Sequence, residues 1–319
     1  MKHTTLFYLV ATAFALVGAT ACSSGDDGDE PANPTPTDPT ERKLVIGASA
    51  NPWLEENGNA RETRGQVITT ETLNGFSMHW NQDESSYADY TVKRGSDGKW
   101  IPTPTNNDSQ VGGEWPSVGN SAPISFYAHT ARTFNYNYNG GNRYISFSIE
   151  EASANQSDLL LSKITNVTYS GTGGVIWFTF DHACAAVEFN IQITNKLRTQ
   201  LGTDLTVNSV VLKNIANTGD CHYSTSSGNH IGRWENVSGN ANYTLTQADA
   251  MEVGTTPIPL PCNTLFIIPQ TLGSESKLEI TYTFTGKTKS TTEISLKDTE
   301  WKAGHLYPIN IVLGTTLIQ

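Results

Sequence analysis

Apolar and polar residues alternate along the chain from residue 120 onward, and nothing else in the sequence constrains the fold as tightly. Ile145, Phe147 and Ile149 alternate with Ser146 and Ser148. Val187, Phe189, Ile191 and Ile193 alternate with Glu188, Asn190 and Gln192, and Leu278, Ile280, Tyr282 and Phe284 with Glu279, Thr281, Thr283 and Thr285. Tyr307, Ile309, Ile311 and Leu313 repeat the pattern near the end. Successive side chains of a strand point to opposite faces, so each run reads as a strand with one buried and one wet face. Residues 175–180 (VIWFTF) are more continuously apolar and read as a central strand. Residues 139–142 (NGGN) and 170–174 (SGTGG) read as turns. Asn195–Leu201 is the one segment that reads as a short helix. Charged residues make up only 16% of the 319, which suits sheets with hydroxyl-rich outer faces better than helical bundles. The expected fold class is all-β, with sandwich packing.

The N-terminus reads as an export and anchoring device. Lys2 and His3 precede an apolar run from Leu6 to Val17, and Ala19, Thr20 and Ala21 stand before Cys22. That run is too short and too poorly flanked for a stable membrane span, so residues 1–21 read as a signal peptide. A cysteine directly after the cut is where a lipoprotein receives its acyl chains. Ala-x-Ala also suits cleavage without lipid. Residues 23–41 are Gly, Ser, Asp, Glu, Pro and Thr almost throughout, a composition that cannot bury enough apolar surface to order itself. The acidic run 26–30 (DDGDE) reads either as a solvated linker or as an export signal.

The expected organisation is a tether with an apolar run over residues 22–64, then sandwiches at 65–174 and 175–319. Net charge is −11 without a basic stripe, which speaks against a nucleic-acid partner. No second apolar run is long enough to cross a bilayer. Cys184 lies in an apolar strand and reads as a core residue. Cys221 and Cys262 lie in loop-like sequence and form a candidate disulfide. No Cys-x-x-Cys spacing supports a structural zinc site.

Few constellations suggest chemistry. His182 and Cys184 share a strand face, but nothing in the sequence supplies an exposed elbow or an orienting third group, so they read as a hydrogen-bonded histidine beside a core cysteine. Cys221, His222, His230 and Cys262 match no familiar metal-ligand spacing. Glu55 with Glu56, and Asp83 with Glu84, are neighbouring acids in loops rather than opposed carboxylates. No catalytic residue, metal or cofactor is expected. Trp53, Trp80, Trp100, Trp115 and Trp234 lie in or near polar loops, where exposed rings stack on sugars; Trp177 and Trp301 read as core.

Taken together, several motifs resemble the fimbrillin family of Gram-negative anaerobes. They are residues 63–65 (TRG) leading into 72–79 (TLNGFSMH), Trp100-Ile-Pro, Glu114-Trp-Pro and 124–129 (ISFYAH). Further along come 158–161 (DLLL), 178–183 (FTFDHA), 187–189 (VEF), 265–270 (LFIIPQ) and 301–307 (WKAGHLY). The resemblance implies two transthyretin-like β-sandwich domains in tandem after a disordered lipoprotein tether, and no catalysis. It implies a fimbrial subunit (shaft, tip, accessory or anchor) at the outer membrane and cell surface, held by lipid at Cys22. It also implies that proteolysis after an arginine frees a strand from the first domain, and that a strand from another subunit takes its place. Arg64, before Gly65, fits the processing site, with Arg61 and Arg42 as alternatives. Leu44, Val45 and Ile46 lie in the only apolar run between the tether and that site and are the candidate exchangeable strand. Ile309, Ile311 and Leu313 are the candidate donor strand. The partners expected are other fimbrial subunits and a host or bacterial surface glycan or protein. The competing expectation is a surface glycan-binding lipoprotein of a polysaccharide-uptake system.

Overall fold

The computed structural model describes residues 42–55, 60–61, 69–81, 87–105, 114–115, 122–130, 135–139, 142–225, 231–246, 250–262, 264–284 and 289–315. They are all-β, as the alternation requires, with short helices such as Asn195–Leu201. That helix spans the expected residues because Thr194 caps it, its Oγ1 accepting from Leu197 N at 3.2 Å, and Gly202 ends it at φ 69°.

Seven strands, most of them from the first half, build one sheet. Its order is Val45–Ala50, Val175–His182, Leu160–Val167, Ile124–His129, Gly75–Asn81, Tyr87–Arg94 and Trp100–Pro104. Every pairing is antiparallel except the first. The sheet curls until its two edge strands come alongside each other. One face gathers Phe76, Met78, Trp80, Tyr90, Val92, Ile124, Phe126, Ala128, Ile176, Phe178 and Phe180 into a hydrophobic cluster. Alternation explains the selection, because Phe76, Met78 and Trp80 stand two apart on one strand and Ile176, Phe178 and Phe180 on another.

A second cluster fills the space between sheets of the other half. Ala185–Ile193 pairs antiparallel with Ile258–Pro259 and Leu265–Ile267, and in parallel with Leu306–Leu313. Leu205–Ile215 pairs with Ala241–Thr244, Met251–Val253 and Lys277–Thr283. Val187, Phe189, Ile191 and Ile193 from the first group and Leu205, Val207, Val210 and Leu212 from the second share this core.

Strands of the two halves also pair with one another. Residues 36–319 form one compact unit, and Asn142–Ser148, from the first half, pairs with Thr218–Thr225 from the second. The expected boundary between 174 and 175 also shifts. Val175–His182 packs Ile176, Phe178 and Phe180 into the first cluster, and the second begins with Ala183. Residues 170–174, expected to separate two domains, belong instead to a helical turn, Tyr169–Thr172, closed by Gly173 at φ 63°.

On the opposite face of the first sheet, His79 and His129 bring their Nε2 atoms to 3.1 Å, and His79 Nδ1 lies 2.5 Å from Asp89 Oδ1. Burial holds the pKa of His129 well below the usual histidine value of 6.5, and the neighbouring His79 charge adds to the effect. Above about pH 6.5 the folded and unfolded forms of this ring are both neutral and nothing is lost. Below that value the unfolded chain takes up a proton that the folded chain refuses. Stability then falls by at most about 1.4 kcal/mol per pH unit from this group, until the folded ring protonates. Urea unfolding between about pH 7.5 and 4.5 should show this decline, and a His129→Gln variant should have a shallower slope.

Candidate functional site

The first cluster is completed by the strand nearest the N-terminus. Val45–Ala50 lies parallel to Val175–His182 in a continuous register from Val45 opposite Val175 to Ala50 opposite Phe180. Val45 N donates to Gly174 O at 2.9 Å and Asn51 N donates to Phe180 O at 2.8 Å, closing the ladder at each end. On the outer edge Lys43 pairs with Glu114, and Trp115 N donates to Arg42 O at 2.7 Å. The Thr70 hydroxyl accepts from Ala50 N at 3.0 Å and lies 3.3 Å from its carbonyl.

Leu44, Ile46 and Ala48 point into the cluster and are buried, while Val45 and Ser49 face the other way and are half-buried. They sit in a groove whose floor includes Ile176, Phe178 and Phe180 and whose end is covered by Trp115. Trp115 packs on Phe126 at 5.6 Å and edge-on to Tyr169 at 5.8 Å. Burying Leu44 and Ile46 contributes about 3–6 kcal/mol in gross terms. That is a large share of the 5–15 kcal/mol by which a whole domain is ordinarily stable.

A second attachment follows directly. Trp53 leaves the first cluster and enters the second, where its ring stacks on His182 at 4.0 Å and on Phe266 at 6.1 Å. His182 is held from both sides, with Nδ1 2.7 Å from Asp158 Oδ2 and Nε2 2.9 Å from the Asn51 carbonyl. Asn51 Nδ2 donates to Asp181 at 2.6 Å. Leu54 N then donates to Gly304 O at 2.9 Å, and Leu54 bridges His305 in parallel. The segment that fills the first groove is therefore also fastened to the root of Leu306–Leu313.

The other residues singled out from sequence divide clearly. Cys22, Arg64, Gly65, Glu56, Asp83, Glu84 and His230 lie outside the described residues. Arg61 belongs to the short strand Ala60–Arg61, opposite Trp53, and Arg42 is exposed with its guanidinium 5.7 Å from the Tyr169 ring centre. Ile309, Ile311 and Leu313 lie in Leu306–Leu313, paired along its whole length with Ala185–Ile193, and Ile311 and Leu313 are buried in their own second cluster. Cys221 is a free thiol, so the expected bond to Cys262 is not formed. It faces the core from a strand, between Ile145 and Trp234 in register, whereas Cys262 is half-buried after Ile258–Pro259. Cys184 is fully buried, and its thiol pKa is pushed up by burial first and by the Asp158 charge second. That suits a packing residue and opposes thiolate chemistry. His222 contacts Glu235 at 3.1 Å and stacks on Tyr144 at 5.1 Å. No cluster of metal-ligating side chains is present among the described residues.

The tryptophans reverse the expectation in part. Trp53, Trp80 and Trp115 are buried and Trp100 and Trp234 are half-buried, whereas Trp177, expected in the core, is 54% exposed. Its strand sends alternate residues inward, which leaves Trp177 outside, lying across Gly47 with Nε1 donating to Ser49 Oγ at 3.3 Å. A glycine inside an apolar strand run was the available signal for such a close approach.

Three solved structures share this architecture. A fimbrial protein from Bacteroides vulgatus is 17% identical with a TM-score of 0.55, over 86% of this chain and 96% of that one. A candidate cell adhesion protein from Bacteroides ovatus is 14% identical with a TM-score of 0.50, over 85% and 92%. Another from Parabacteroides distasonis is 8% identical with a TM-score of 0.51, over 86% and 89%. At these identities the likeness concerns the fold. No curated protein sequence matches the chain. The fimbrillin-like family model matches residues 63–319, most of the chain, and the protein belongs to that family.

Proposed function

We propose that the protein is a subunit of a fimbria on the cell surface and assembles by exchanging its N-terminal strand. One observation supports this above the others. The family match begins at residue 63, yet the core of the matched segment is completed by Val45–Ala50, which precedes it. A strand that lies before the shared segment and fills its groove is suited to be an occupant that another strand replaces. Cleavage after Arg64 would free residues 45–54 together, and with them the groove. An emptied groove presents open ladder groups along Val175–His182 and the apolar floor around Phe178, a strong drive to capture a strand. Acylation at Cys22 would hold the uncut chain at the outer membrane. The burial of Trp53, Trp80 and Trp115 removes most of the rings on which a glycan-binding role would have rested.

Arginine-specific proteolysis of the full-length protein tests this. Cutting near residue 64 should convert the monomer into higher oligomers, seen by size-exclusion chromatography and electron microscopy. Arg64→Ala should stay monomeric under the same treatment, while Arg61→Ala and Arg42→Ala should assemble. A cut protein that remains monomeric overturns strand exchange.

A further inference from the structure

We propose that Trp177 selects which strand can occupy the groove, by requiring a glycine beneath its ring, a requirement that residues 311–316 of a second copy of this chain meet. The inference rests on the strand-exchange function above.

Gly47 is the residue Trp177 reads. A Cβ placed on Gly47 would fall against the indole, 2.9 Å from Cδ2 and closer still to Cε3 and Cζ3. Gly47 is not among the residues with positive φ, so the ring alone accounts for the glycine. Any other side chain there must push the indole off the strand, and the indole is tied down by its bond to Ser49. A replacement strand meets the same condition.

Residues 311–316 (IVLGTT) meet it in order. Set against residues 44–49 (LVIGAS), both read aliphatic, valine, aliphatic, glycine, small residue, hydroxyl residue. The facing agrees as well. Leu44 and Ile46 point inward with Val45 outward, and Ile311 and Leu313 point inward with Val312 49% exposed. Gly314 thus stands on the outward side, as Gly47 does, and Thr316 would bring its hydroxyl to the place where Ser49 meets the indole. Both strands are parallel additions to their neighbours, Val45–Ala50 to Val175–His182 and Leu306–Leu313 to Ala185–Ile193. The same chain direction therefore serves in either groove.

Among the described residues, nothing in its own fold requires Gly314 to be glycine. A Cβ there would meet nothing within 4 Å, and its φ is not positive. Docking under a Trp177 ring supplies the missing reason. The clasp supplies the timing, because Leu54 fastens Gly304 and His305, the residues just before Leu306. The cut that empties the groove also releases the root of the strand that is to fill the next one.

The test is Gly314→Val in the full-length protein. Uncut, it should melt like the wild type, since the added side chain enters open space. After arginine-specific proteolysis its oligomer yield should fall at least about tenfold, because overpacking at one position shifts strand affinity by that order. Combining it with Trp177→Ala should restore assembly. Normal assembly by Gly314→Val, or no rescue by Trp177→Ala, overturns this inference and leaves strand exchange standing. An early-melting uncut Gly314→Val overturns it too, by showing that its own fold needs the glycine. A wild type that does not assemble on cleavage overturns both.

Discussion

Trp53→Ala should lower the stability of the uncut protein by about 3–5 kcal/mol, the range for deleting a large buried aromatic ring. The indole is 2% exposed and lies flat on His182 and Phe266 in the second cluster. An alanine would leave a cavity between them, and the Asn51 carbonyl that meets His182 would lose the anchor two residues on. The first strand would then be held by its backbone and polar contacts and by Leu44, Ile46 and Ala48, without its largest apolar anchor. Urea unfolding of uncut protein measures the loss, and the arginine-cut form provides the contrast. If cleavage near Arg64 removes residues 45–54, cut Trp53→Ala and cut wild type should be equally stable. A loss below about 1 kcal/mol in the uncut form would mean that the ring contributes no more than an ordinary surface contact.

Phe178→Ala should cost a similar amount, about 3–5 kcal/mol, but in both forms. Phe178 is fully buried at the groove floor, with Phe76 at 5.4 Å, Phe180 at 6.1 Å and Phe126 at 6.5 Å between ring centres. Whichever strand occupies the groove must rest on it. The variant should therefore weaken the uncut monomer and also the oligomers formed after cleavage, which Trp53→Ala should leave intact. Stability against urea before cutting and oligomer dissociation by dilution after it report the two effects separately. A Phe178→Ala protein that assembles as tightly as the wild type would show that the groove floor is not where the incoming strand binds.

Local patterning carried much of this fold. Val187, Phe189, Ile191 and Ile193 are buried together because side chains two apart share a face, which is visible in a sequence. The helix at Asn195–Leu201 stands where the sequence places it, and the structure adds its caps, Thr194 and Gly202. Trp53 was not legible. Residues 51–56 (NPWLEE) show no alternation, and the ring it needs, His182, lies far along the chain. Trp177 was misplaced because a nearly continuous apolar run hides which parity faces inward. Only the parallel register that sets Gly47 beside it decides the matter. The glycine-rich stretch before Val175 suggested a boundary, yet Gly174 is there for close approach. It has φ 83°, and a Cβ would crowd the Lys43 carbonyl and Tyr169. Composition cannot distinguish a glycine that separates domains from one that lets two segments touch.

A parallel edge strand cannot be half of a tight hairpin, since its partner must be reached by a long detour of chain. Among the described residues, Val45–Ala50 is the edge strand whose ladder to its sheet is parallel, so its departure would break no antiparallel ladder of that sheet. If the strand is exchanged as proposed, its exit and entry would be stepwise changes of ladder partners along Val175–His182. A polymer built by such insertions would be polar, open at both ends, and reluctant to shed subunits when diluted.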